Sequence, residues 1–97
     1  MSDGLFVFAE ITPKPEHLEE AREAILGILA ETRAEPGCRS FTVLAPQEGG
    51  AICLFEEWED QAALDAHYAQ PYTARVFAAY QNWLAQPPVI QKLAHLG

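Results

Sequence analysis

The sequence predicts an α+β domain of the ferredoxin-like, split βαβ kind, with one antiparallel sheet carrying helices on a single face. Three observations predict it. The apolar pattern changes period along the chain in the order strand, helix, strand, strand, helix, strand. The middle strands are joined by the turn-forming run Pro46-Gln47-Glu48-Gly49-Gly50. No repeat, low-complexity tract or linker divides the 97 residues, so residues 1–97 are expected to form one domain.

Leu5-Phe6-Val7-Phe8-Ala9-Glu10-Ile11 is short, aromatic and β-branched, and Pro13 and Pro15 stop it, which reads as a first strand. From Pro15 to Ala34 an amphipathic helix is expected, its buried stripe made of Leu18, Ala21, Ile25, Ile28, Leu29 and Thr32. Glu19 and Glu20 near its start and Arg33 near its end suit the helix dipole, and Pro36-Gly37 supplies the stop. Cys38 to Ala45 and Ala51 to Glu59 read as a hairpin whose paired glycines permit positive φ. Asp60 can cap a helix running to Ala69. Pro71 can open another that buries Tyr72, Val76, Tyr80 and Trp83 or Leu84. Val89 to Leu96 completes the order as a last strand.

A sheet with helices on one face leaves the other face open, and in a monomer that face should be polar. Here strand one offers Leu5, Val7, Ala9 and Ile11 on one side but Phe6 and Phe8 on the other. Strand three sets Ile52, Leu54 and Trp58 against Cys53 and Phe55. A second subunit or a bound apolar ligand is expected to cover the second face.

Six Lys and Arg against fourteen Asp and Glu give a net charge of −8, which repels phosphate backbones and anionic headgroups. Neither nucleic acid nor a membrane is an expected partner. The N-terminal Met1-Ser2-Asp3-Gly4 lacks the basic, apolar pattern of a leader, and the longest apolar run, Ala24 to Ala30, falls short of the roughly twenty residues of a span. A cytoplasmic location is expected. A turn near Glu48-Gly49 sets Cys53 opposite Leu44 and leaves Cys38 roughly 20 Å away along its strand, so the two cysteines are expected to be free thiols.

The segment from Phe55 to His67, continuing to Pro71-Tyr72, gathers the residues that can carry chemistry. Alternation puts Glu56 and Trp58 on one strand face, a carboxyl beside an indole on an apolar surface. Burial raises a carboxyl pKa towards neutrality, which suits Glu56 as a proton acceptor; a solvated strand-end carboxylate is the plainer alternative. Trp58 offers an aromatic plane and one N–H donor, or simply core packing. His67, late in the short helix, can exchange a proton near neutral pH, and Tyr72 can point its phenol at the same cleft. Phe41, Leu54 and Val76 are expected to line it for a small aromatic substrate. The three histidines, His17, His67 and His95, are not at metal-ligand spacing, and no glycine-rich phosphate loop or nucleophile elbow occurs, so no metal site is expected.

These residues resemble the antibiotic biosynthesis monooxygenase family over nearly the whole chain. Ala9-Glu10-Ile11 before the prolines resembles its first strand. Glu35-Pro36-Gly37-Cys38 with Phe41 and Val43 resembles its E-x-G-C lead-in to strand two. Phe55-Glu56-x-Trp58-x-Asp60 with Ala66-His67 resembles its best-known segment. The resemblance implies a homodimer whose sheets pack into a dimeric α/β barrel, each subunit keeping its own pocket. It also implies oxidation of an electron-rich phenol or hydroquinone by molecular oxygen with no cofactor, with Trp58 and His67 foremost and Glu56 and Tyr72 behind them.

Two departures stand out. Many relatives read His-x-x-x-Pro-His, whereas here Pro71 is followed by Tyr72. The asparagine and axial histidine of the haem-degrading branch have no counterpart at Ile11 or around Val76. Three other readings stay open at this stage: a non-redox isomerase of an autoinducer-like phosphorylated sugar, a dimeric protein that sequesters an aromatic metabolite in a stress response, and a scaffold without a pocket.

Overall fold

The computed structural model describes residues 4–97; residues 1–3, the head of the segment read above as lacking a leader, lie outside them. β1 is Leu5–Ile11, β2 Cys38–Leu44, β3 Ile52–Trp58 and β4 Val89–Leu93. They form one antiparallel sheet in the order β2-β3-β1-β4, the split βαβ arrangement. The hairpin register is the expected one, Leu44 facing Cys53 and Phe41 facing Glu56, and both cysteines are free.

The helical stretches are α1 Leu18–Gly27, α2 Leu29–Arg33, α3 Gln61–Ala69 and α4 Pro71–Trp83. The single helix expected from Pro15 to Ala34 is therefore corrected to three pieces. Pro15–His17 is a 3₁₀ turn, and the chain kinks at Ile28 (φ −103°, ψ 5°), whose N–H bonds back to the Ile25 carbonyl at 3.3 Å. Gly27 carries no side chain to hold the turn, and the β-branched Ile28 beside it is a modest helix former. The kink still leaves Ala21, Ile25 and Thr32 all buried. The last strand is shorter than expected, ending at Leu93, and it pairs with β1 alone.

All four helices cover one face of the sheet. Val7, Ala9 and Ile11 of β1 and Ile52, Leu54 and Trp58 of β3 meet Ala21, Ile25, Leu64, Val76 and Tyr80 in the core. Arg33 Nε and Nη2 donate to the Phe41 carbonyl at 3.1 and 2.9 Å, fixing the end of α2 to β2. The other face is apolar as well. Phe6 stacks on Phe55 at 6.0 Å, and Leu44, Phe55, Val89 and Leu93 remain exposed there. No helix among the described residues is long and apolar enough to cross a membrane.

Gly37 is the tightest joint in this frame. Its φ of +86° suits only glycine, and a Cβ built there would lie 2.6 Å from the Ala63 Cβ of α3. The Gly37 carbonyl also accepts the Glu59 N–H at 2.7 Å, so the lead-in to β2 is locked against the start of α3. Gly49, at φ +77° in open space, supplies a control. Gly49→Ala should cost about 1–2 kcal/mol of unfolding free energy in urea, and Gly37→Ala a further ~1–3 kcal/mol from the clash. Equal costs would show that the close approach to Ala63 carries no weight.

Candidate active site

β3 delivers the first two groups. Inward alternation leaves Glu56 and Trp58 buried side by side, and the indole N–H of Trp58 donates to Glu56 Oε1 at 2.9 Å. Past Trp58 the chain turns, and Asp60 Oδ1 accepts the Ala63 N–H at 2.9 Å, capping α3 as the sequence suggested. Two turns further along α3, His67 faces back to the sheet. Its ring lies 4.8 Å from the Trp58 ring, 5.8 Å from Phe41 and 5.7 Å from Tyr68.

The group that orients His67 is Glu35, just beyond α2. Its side chain is buried, and Oε2 lies 2.9 Å from His67 Nδ1. The same oxygen accepts the hydroxyl of Tyr72, which Pro71 places in the first turn of α4. An oxygen that already receives an O–H faces Nδ1, so the neutral imidazole is the tautomer with its proton on Nδ1 and its lone pair on Nε2.

In the sequence Glu35 stands out only as the first residue of the E-x-G-C run. The available signal was electrostatic. A carboxylate just past a helix C-terminus meets the negative end of the dipole, so one that is not left to solvent must be held by donors from elsewhere.

Behind α4 lies a small, partly enclosed cavity of about 30 Å³. Glu56 and His67 line it together with Phe41, Leu54, Thr73 and Val76. The expected lining residues thus sit on one cavity. Trp58 and Tyr72 do not reach it: Trp58 is wholly enclosed behind Glu56, and Tyr72 touches the site only through Glu35. Tyr68, Phe77 and Tyr80 close the outer side in edge-to-face contacts, Tyr68–Phe77 at 5.7 Å and Phe77–Tyr80 at 5.3 Å.

Burial, reinforced by the negative charge of Glu35, lifts the Glu56 carboxyl from its ordinary 4.5 to about 7, against the lowering effect of the Trp58 hydrogen bond. Burial and the Glu56 charge raise Tyr80 and, with Asp65, Tyr68, so both phenols stay protonated at neutral pH. Burial foremost, and nearby carboxylates, raise the Cys38 thiol, which leaves it a poor nucleophile. Among the described residues no group of three or more His, Cys, Asp or Glu is placed to hold a metal ion.

A sequence model of the antibiotic biosynthesis monooxygenase family matches residues 4–83, which include every site residue named above. The chain is 31% identical over 96 residues to Rv0793 of Mycobacterium tuberculosis, named as a candidate monooxygenase, covering 99% of this chain and 95% of that protein. The solved structure of Rv0793 superposes with a TM-score of 0.93 at 30% identity, covering 98% and 97% of the two chains. A Pseudomonas aeruginosa protein superposes equally well (TM-score 0.93, 28% identity, 100% and 98% covered). A structure described as an antibiotic biosynthesis monooxygenase gives 0.89 at 26% identity, with 96% and 99% covered.

Because the folded state holds the Glu56 proton more tightly than the unfolded chain, that group's contribution to stability is full below about pH 4.5 and is lost as pH rises through about 7. Glu56→Gln removes this dependence. The difference in unfolding free energy between wild type and Glu56→Gln should therefore shift by on the order of 3 kcal/mol in favour of the variant between about pH 4.5 and 8. A pH-independent difference would show an ordinary, solvated carboxyl.

Proposed function

The chain belongs to the antibiotic biosynthesis monooxygenase family, and on that premise we propose that it is a cofactor-independent monooxygenase oxidising a hydroquinone or polycyclic phenol with molecular oxygen. The observation that carries this reading is the convergence of Glu56 and His67 on one apolar cavity, each held by its own buried partner. Glu56, about half ionised at neutral pH, takes the hydroxyl proton of the substrate. The phenolate is then electron-rich enough to reduce oxygen itself. A ring carbon that bears hydrogen, ortho or para to the phenolate, bonds to one oxygen atom. The O–O bond breaks, and the second atom leaves as water with the hydroxyl proton and the ring hydrogen. Phenol plus O₂ thus becomes quinone plus water, the ring losing four electrons and the two oxygen atoms gaining them.

His67 Nε2 moves the second proton, from the ring carbon to the departing oxygen. Glu35 keeps that nitrogen in its accepting form, and Tyr72 holds Glu35 where relatives place a second histidine. The absence of Lys and Arg from the cavity lining favours an uncharged ring over a phosphorylated sugar.

A ring needs more room than this cavity offers. About 150 Å³ accommodates a benzene, against about 30 Å³ here. Binding therefore displaces Phe77, the half-exposed member of the aromatic trio, whose other side faces open grooves between α4 and β4. The outer sheet face is covered by a second copy of the chain, a homodimer supported by Phe6, Phe8, Leu44, Phe55, Val89 and Leu93 standing on one surface.

Oxygen uptake by the purified, metal-free protein with a panel of hydroquinones and anthrone-like phenols should exceed the spontaneous rate. Glu56→Gln and His67→Ala should each lower kcat by about 10²–10⁴-fold, and Trp58→Phe, which only releases Glu56, by less. Saturable binding without uptake would instead favour a protein that sequesters aromatic metabolites. Light scattering should give twice the chain mass for wild type and a monomer for Phe55→Glu; a monomeric wild type would refute the dimer.

A further inference from the structure

Two buried hydroxyls, Thr32 Oγ1 and Thr73 Oγ1, have no hydrogen-bond partner among the described residues. Burying a hydroxyl without a partner is unfavourable, so each needs an explanation. A threonine in a helix commonly bonds back to the carbonyl four residues earlier, but Thr73 does not, since the backbone between α3 and α4 is extended at Gln70 (ψ 137°). Thr73 is only 2% exposed and lines the cavity that Glu56 and His67 share, whereas Thr32 does not. The cavity volume of about 30 Å³ exceeds what a single water requires. Its polar lining comes from α4, β3 and α3, so three polar side chains from three elements border a space sized for one or two oxygen atoms.

We propose that Thr73 Oγ1, Glu56 and His67 form a binding position for one oxygen atom, held by water in the free protein and by the substrate's hydroxyl oxygen in the complex. The identity of that second occupant rests on the monooxygenase reading; the water position does not. The three groups have complementary roles. In the free protein the water donates to Glu56 and to His67 Nε2 and accepts from Thr73; in the complex Glu56 takes the substrate's one hydroxyl proton and Thr73 donates to the oxygen it leaves behind, which leaves Nε2 free for the ring-carbon proton. Thr73 thereby stabilises the phenolate as it forms, because its hydroxyl has no competing acceptor among the described residues. It also favours ligands with an oxygen at the inner end over bare hydrocarbons.

The test compares wild type with Thr73→Val, which keeps the side-chain shape, and with Thr32→Val, which removes the other unpartnered hydroxyl away from the cavity. Phenol and benzene are titrated under argon, so that binding is read without turnover. Thr73→Val should weaken phenol about tenfold, the worth of one hydrogen bond to a forming charge, while leaving benzene unchanged. Thr32→Val should change neither. High-resolution crystals of the free protein should show a water within hydrogen-bond distance of Thr73 Oγ1, lost in Thr73→Val. The proposal is overturned if Thr73→Val binds phenol like wild type, if Thr32→Val weakens phenol equally, or if Thr73 bonds a backbone carbonyl over a dry cavity. Should neither ligand bind, the crystals decide alone. A water at Thr73 with selective phenol binding but no oxygen uptake from any phenol would sink the monooxygenase reading and leave the oxygen position standing.

Discussion

The carboxyl of Glu35 is the joint on which the rest of the site depends. It sits between the end of α2 and the start of β2, and it takes hydrogen bonds from His67 on α3 and Tyr72 on α4. One oxygen therefore ties three elements of the helical layer to the lead-in of a strand. The bonds are only possible because Gly37 lets the backbone pass within contact of Ala63, so that the α2–β2 turn lies against α3 rather than beside it. Remove that approach and the imidazole loses its orienting acceptor, whatever happens to the residues lining the cavity.

The same carboxyl shapes the chemistry at a distance. Glu35 and Glu56 are two buried acids on either side of the His67 and Trp58 rings, and the charge of the first makes the second harder to ionise. Burial alone would raise Glu56, and the indole N–H of Trp58 partly offsets it. What results is a division of labour: one carboxyl spends its lone pairs on fixing a histidine, and the other stays near its midpoint at neutral pH, facing the cavity. Trp58 belongs to this electrostatic arrangement more than to the substrate surface, since it is enclosed and its one donor is committed.

Much of this was readable in the sequence. Strand alternation placed Glu56 and Trp58 on one face, a turn near Glu48-Gly49 set the observed hairpin register, and Asp60 marked the start of α3. These are local rules of period, turn and cap, and they hold because few long-range contacts compete with them. The unbroken helix from Pro15 to Ala34 failed because its apolar stripe continued through Gly27 and Ile28, two weak helix formers at which the chain kinks. Glu35 and Thr73 were not readable as site residues. Their meaning lies in what faces them across 32 residues in the one case, and in the lack of any partner among the described residues in the other, and neither appears in a local pattern.

The fold also explains where such a site can open. The floor is the inner face of the two central strands, β3 and β1, whose buried side chains cannot move without cost to the core. The inner wall is fixed by the Glu35 bonds to α3 and α4. What remains is the side closed by Tyr68, Phe77 and Tyr80 and by Ile90 of β4. That strand is the edge of the sheet, hydrogen-bonded among the described residues to β1 alone, and Phe77 is partly in solvent already. Local opening favours the region with the fewest buried contacts. The cavity is therefore rigid where protons must be positioned and yielding where a ring must pass, and both properties follow from which strands of the sheet are central and which is last.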